Sequence, residues 1–121
     1  MKDLSPKEEE VMRYFWTDGS LFVKQLVEKY PDPKPHFNTL STYVRSLDEK
    51  GFLSHDALGS TYRYFAVVSE DEYRNRNLKD VVKKYFDNSY LSVVSSLIKE
   101  QELSVAEVRK LLDEVEKSTS K

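Results

Sequence analysis

No cysteine occurs in the 121 residues, which removes disulfides, thiolate zinc sites, iron–sulfur ligation and a thiol nucleophile together. Stability must then come from packing. Histidine is scarce as well: His36 and His55 are the two present, so a metal site would lean on carboxylates, and none is expected. The three glycines form no phosphate-cradling loop, and neither histidine lies in a recognisable nucleophile motif, so neither an enzyme nor a cofactor is expected. Long apolar runs are missing too. Nothing approaches the roughly 18 residues of a membrane span, and Met1-Lys2-Asp3-Leu4-Ser5-Pro6 passes into a charged helix with no apolar signal region. The expected location is the cytoplasm, without membrane association.

A surplus of basic charge is also lacking. Nineteen Lys and Arg face 21 Asp and Glu, a net charge of −2, and the deficit is spread evenly. Residues 1–68 carry nine basic against ten acidic side chains, and residues 69–121 ten against eleven. Between Lys34 and Arg63, however, Lys34, Arg45, Lys50 and Arg63 outnumber Asp48, Glu49 and Asp56. A nucleic-acid surface on this chain must therefore arrange its positive charge on one face. What is present is the composition of a folded chain, 39% hydrophobic and 33% charged, at a length that suits a small domain with an appendage.

Ser5-Pro6-Lys7-Glu8 carries a helix-start signal, with Ser5 as N-cap, Pro6 in the first turn and Glu8 closing a capping box. Val11, Met12, Phe15 and Trp16 follow as one apolar stripe, Glu8, Glu9, Glu10 and Arg13 are expected on the solvent side, and Asp18-Gly19 ends the helix. Leu21, Phe22, Val23, Leu26, Val27 and Tyr30 predict a second helix of about ten residues, capped by Ser20 and stopped by Pro31. From His36 to Lys50 a third helix is expected, with Leu40, Val44 and Leu47 inward and Gly51 as the stop. At about 100° per residue, Asn38, Ser41, Thr42, Arg45, Ser46 and Glu49 fall on the opposite side. Three of these are short hydroxyl residues, mediocre helix formers that serve equally a solvated face or a face with a partner.

Phe52 to Ala57 and Thr61 to Val68 have the pattern of two strands joined at Leu58-Gly59-Ser60. Three helices and a hairpin in this order make a winged helix-turn-helix over residues 1–68. Residues 69–121 predict three more helices, opened by Ser69 with Glu72, broken at Asp87-Asn88-Ser89, and opened again by Ser104 with Glu107. Ser118-Thr119-Ser120-Lys121 is expected to be a frayed polar end. Tyr85, Phe86, Leu91, Val94, Leu97, Ile98, Val108, Leu111, Leu112 and Val115 give these helices apolar faces too wide for so thin a segment to bury, which points to a homodimer. The fold class is thus mainly α (α+β), a winged helix-turn-helix domain followed by a three-helix dimerisation region.

Residues 5–68 resemble the penicillinase repressor family of winged-helix transcriptional repressors, the BlaI/MecI/CopY type. The resemblance is carried by Glu10-Val11-Met12 with Trp16, by Thr39-Leu40-Ser41-Thr42 with Leu47, by Lys50-Gly51-Phe52, and by Tyr62-Arg63-Tyr64. It extends through the C-terminal helices to Leu103-Ser104. It implies a dimer that covers a palindromic operator in double-stranded DNA, with the third helix in the major groove. Carried over by position, Asn38, Ser41, Thr42, Arg45 and Ser46 would read bases, and Lys34, His36, Thr39 and Arg63 would touch the DNA backbone. Arg45 is the foremost of these, because a guanidinium can take guanine O6 and N7 together. A regulatory membrane-bound protease is the partner implied by the sensor-linked members.

Three positions depart from that pattern. The family's usual arginine before the leucine matched to Leu47 is Ser46 here, with Arg45 one residue earlier. The wing Asp56-Ala57-Leu58-Gly59-Ser60 is poor in basic residues, and Ser96-Leu97 stands where sensor-linked members have an Asn-Phe cleavage junction. The acidic balance and weak wing also suit a second reading, a winged-helix module for protein–protein assembly without sequence-specific DNA binding.

Overall fold

The computed structural model describes residues 4–119; Met1 to Asp3, Ser120 and Lys121 lie outside them, with the sequence readings that fall there. The first helix, α1 (Pro6–Asp18), begins with the capping box its sequence announces: Glu8 N donates to Ser5 Oγ at 3.1 Å and Ser5 N to Glu8 Oε1 at 2.9 Å. Gly19, at a φ of +80° that favours glycine, ends it, and its amide donates to the Phe15 carbonyl. Val11, Met12 and Phe15 face the core.

Glu8 corrects the expected solvent side of α1. It is only 4% exposed, because the third helix brings a hydroxyl and an ammonium against it.

The second correction concerns residues 20–30. Instead of one helix of about ten residues, the chain makes a two-residue strand β1 (Leu21–Phe22) and then a seven-residue helix α2 (Val23–Lys29). The cause is long-range, since this short strand pairs antiparallel with the wing, Leu21 opposite Tyr64 and Phe22 opposite Arg63. The Phe22 amide donates to Gln25 Oε1 at 2.9 Å and so opens α2.

Helix α3 (Phe37–Glu49) is capped by His36, whose Nδ1 accepts from Asn38 N at 3.1 Å, and Leu40, Val44 and Leu47 are buried along its inner side. The wing follows as β2 (Leu53–Leu58) and β3 (Thr61–Ala66), in register from Leu53 opposite Ala66 to Leu58 opposite Thr61. Gly59, at φ +65°, and Ser60 form the connection. The sheet order is β1-β3-β2, all antiparallel. Core side chains from the three helices meet Phe52, Leu53 and Tyr64 beneath it. This is the three-helix-plus-wing arrangement of a winged helix-turn-helix.

The chain divides into two compact units, one ending at Arg74 and the other starting at Asn75, beyond the division at residue 68 expected from sequence. The first unit extends that far for two reasons. Trp16 Nε1 donates to the Val68 carbonyl at 2.9 Å, and Tyr73 packs at a tilt on Trp16 and edge-on against Phe52 while its hydroxyl donates to Glu9 Oε2 at 3.1 Å. Tyr73 lies near the start of α4 (Glu70–Phe86), which opens with the Ser69–Glu72 box and continues into the second unit.

In the second unit, Asp87 and Asn88 at positive φ turn the chain out of α4, with the Asn88 amide donating to the Val82 carbonyl. Helix α5 (Tyr90–Lys99) is capped by Ser89. Helix α6 (Val105–Thr119) is opened by a capping box between Ser104 and Glu107, and it runs two residues into the expected polar end. Apolar side chains on all three helices stand open: Leu91 is 82% exposed and Tyr85 68%, and Leu111, Leu112 and Val115 are also uncovered. Phe86, Val94, Ile98 and Val108 are partly buried.

Candidate nucleic-acid interface

The first unit carries a groove between α3 and the wing. It has a volume of about 790 Å³, and its floor and walls come from three places. Phe37, Asn38, Ser41 and Arg45 lie along one side of α3, Phe22 to Gln25 form the β1–α2 junction, and Ser60, Thr61, Tyr62 and Tyr64 belong to the wing. The α3 residues fall at helical spacings of one, four and eight, and therefore share a face. Among the described residues no carboxylate lines the groove, whereas Lys24 and Arg45 do. A chain of net negative charge thus presents a locally cationic concavity.

The structure places the sequence-nominated residues differently from one another. Asn38, Thr42 and Arg45 are exposed on α3, Ser41 is partly covered, and Thr39 is exposed. Arg45 Nε donates to the Ser41 carbonyl at 3.3 Å, which steers its guanidinium along the helix. The Thr42 hydroxyl donates to the Asn38 carbonyl at 3.0 Å, so that donor is engaged within α3. His36 spends Nδ1 on capping α3, and a neutral ring in that role carries its proton on Nε2.

Ser46 is turned elsewhere. Its hydroxyl donates to Glu8 Oε2 at 2.6 Å, and Lys50 Nζ lies 2.7 Å from Glu8 Oε1. Burial pushes the Glu8 carboxyl up, but Lys50, the Ser46 hydroxyl and the Ser5 amide together outweigh it and bring the pKa down from 4.5 to about 2. Glu8 is therefore an ionised clamp between α1 and the C-terminal half of α3. Lys34 is occupied as well, its ammonium donating to the Glu28 and Tyr30 carbonyls at the end of α2. Arg63 sits 3.5 Å from Asp56 Oδ2 across the hairpin. By the alternation of a strand it takes the opposite side from Tyr62 and Tyr64, which face the groove.

Asp48 Oδ2 and His55 Nδ1 are 2.6 Å apart, and the imidazole packs at a tilt against the rings of Tyr62 and Tyr64. This pair ties the wing to α3. Sequence reasoning left Phe22, Lys24, Gln25 and Phe37 without a role at the site. Lys24 and Gln25 had no local signal, because only the pairing of β1 with β3 brings this junction to the groove.

The family model described as penicillinase repressor matches residues 4–117. The chain belongs to the penicillinase repressor family. It is accordingly a transcriptional repressor and not an enzyme. Among its relatives, the methicillin resistance regulatory protein MecI of Staphylococcus aureus (strain N315) is 23% identical over 110 residues, covering 90% of this chain and 89% of that protein. The MecI of Mammaliicoccus sciuri is 23% identical over 112 residues, with the same coverage. The penicillinase repressor of Bacillus licheniformis is 23% identical over 113 residues, 89% of this chain and 85% of that protein. Among the described residues, no helix is long and apolar enough to cross a membrane.

Proposed function

We propose that this repressor binds double-stranded DNA as a homodimer on a palindromic operator, with α3 in the major groove. The observation that carries the reading is the groove-facing row Asn38, Ser41 and Arg45, set in a concavity lined by the cationic side chains Lys24 and Arg45 and, among the described residues, by no carboxylate. Asparagine suits adenine N6 and N7, and the Arg45 guanidinium suits guanine O6 and N7. Thr42 lies beside them, exposed on α3. His36, Thr39 and Lys24 would take the DNA backbone, contacts that set position without reading sequence. Ser46 and Lys34, held by Glu8 and by the end of α2, are left out of the contact set, and so is Arg63 with its Asp56 partner.

The second copy is assigned to the second unit. The uncovered residues Tyr85, Leu91, Leu97, Leu111, Leu112 and Val115 supply the apolar surface that a two-fold dimer buries. Two recognition helices related by that axis would meet half-sites about one helical turn apart.

Selection from a random duplex pool by the full-length protein, followed by sedimentation of the complex, tests this reading. A palindromic winner bound by two chains is expected, with affinity that falls steeply as salt rises. A protein that retains no duplex at low salt and enters a heteromeric complex would instead be an assembly module.

A further inference from the structure

Phe37 is the first residue of α3, 49% exposed and on the groove wall. It shares that wall with Asn38, Ser41 and Arg45. Apolar surface continues across the groove in Phe22 and in Tyr62, which is 51% exposed. A surface that meets only a hydrated phosphate chain has no use for such rings. The occupant that matches aromatic walls flanked by cations is a polyanion with an apolar group between its polar edges. In the major groove one base displays such a group, the C5 methyl of thymine.

We propose that Phe37 is a specificity-determining residue, the wall of an apolar subsite that receives a thymine methyl group. The proposal rests on the operator reading above and adds a preference for the thymine methyl group itself, which hydrogen bonding does not read. Asn38, next to it, is suited to adenine, so the N-terminal end of α3 favours A·T pairs while Arg45 at the other end favours guanine. Eight residues separate Phe37 from Arg45, about 12 Å along the helix axis, so the thymine falls within about four base pairs of that guanine.

The test begins with the duplex selected from a random pool by the full-length protein. Each thymine in it is replaced singly by deoxyuridine, which removes the methyl group and keeps every hydrogen-bonding atom. One thymine per half-site, within that distance of the guanine whose readout is lost in Arg45→Ala, should weaken binding about fourfold when replaced, the worth of one buried methyl. In Phe37→Ala the thymine and deoxyuridine duplexes should bind alike, while the guanine preference persists. Should Phe37→Ala bind too weakly to compare, the position of the sensitive thymine with the unmodified protein decides.

Neutral replacement at every thymine overturns the inference and leaves the operator reading standing. So does a methyl effect that survives in Phe37→Ala or lies far from the guanine. A pool in which no sequence is enriched overturns both.

Discussion

Replacing Glu8 by glutamine keeps the shape of a buried side chain and removes its charge. Its two oxygens accept from Lys50 at 2.7 Å, the Ser5 amide at 2.9 Å and the Ser46 hydroxyl at 2.6 Å, and a carboxamide can satisfy these three donors only in part. The fall in pKa from 4.5 to about 2 corresponds to roughly 3 kcal/mol favouring the ionised form in the folded state. Lys50 keeps some access to water, its side chain being 23% exposed, so Glu8→Gln should cost about 2–3 kcal/mol at neutral pH. Urea unfolding followed by Trp16 fluorescence is the assay, because the single tryptophan sits in α1 and reports the first unit. A carboxylate with a depressed folded pKa stabilises fully above its unfolded value and loses that effect as pH falls through the folded one. The gap between the native protein and Glu8→Gln should therefore be complete above about pH 5, and roughly half of it or less should remain at pH 3. Midpoints that coincide at pH 7, or a gap as wide at pH 3 as at pH 7, would refute the clamp.

Other substitutions test other parts of the account. Leu47→Ala, at a fully buried position of α3, should lower stability by about 2–5 kcal/mol in the same urea assay; a change within experimental error would mean that α3 is not anchored as described. Ser104→Ala removes the box that opens α6 and should cost about 1 kcal/mol of stability in the second unit, measured by circular dichroism of the native chain and the variant. Leu91→Asp combined with Leu111→Asp should leave helical content intact and yield a monomer by sedimentation equilibrium; a dimer that persists would place the second copy on another surface.

The parts of the fold that the sequence made legible are those written in near neighbours. Three capping boxes, at Ser5 with Glu8, Ser69 with Glu72 and Ser104 with Glu107, stood three residues apart and are formed. The buried stripe Leu40, Val44 and Leu47 gave away the inner side of α3, and with it the outward face that carries Asn38 and Arg45. What escaped was set at a distance. Glu8 looks like one of three solvent-facing acids until residues 38 and 42 positions along the chain close over it. Leu21 and Phe22 look helical because their strand partner lies in the wing. Phe37 lies about 60° from Leu40 on a helical wheel and so looks like a core residue. Its exposure depends on where the first turn of α3 stands relative to Phe22 and Tyr62, which no local pattern encodes.

The central claim is that the face of α3 bearing Arg45 reads bases. Its most direct test is the ratio of affinities for the selected operator and a scrambled duplex, measured at one salt concentration for the native protein and for Arg45→Ala. The variant should lose about 1–3 kcal/mol of this discrimination, remain a dimer and still bind scrambled DNA much as before. An unchanged ratio, or an equal loss on both duplexes, would contradict it.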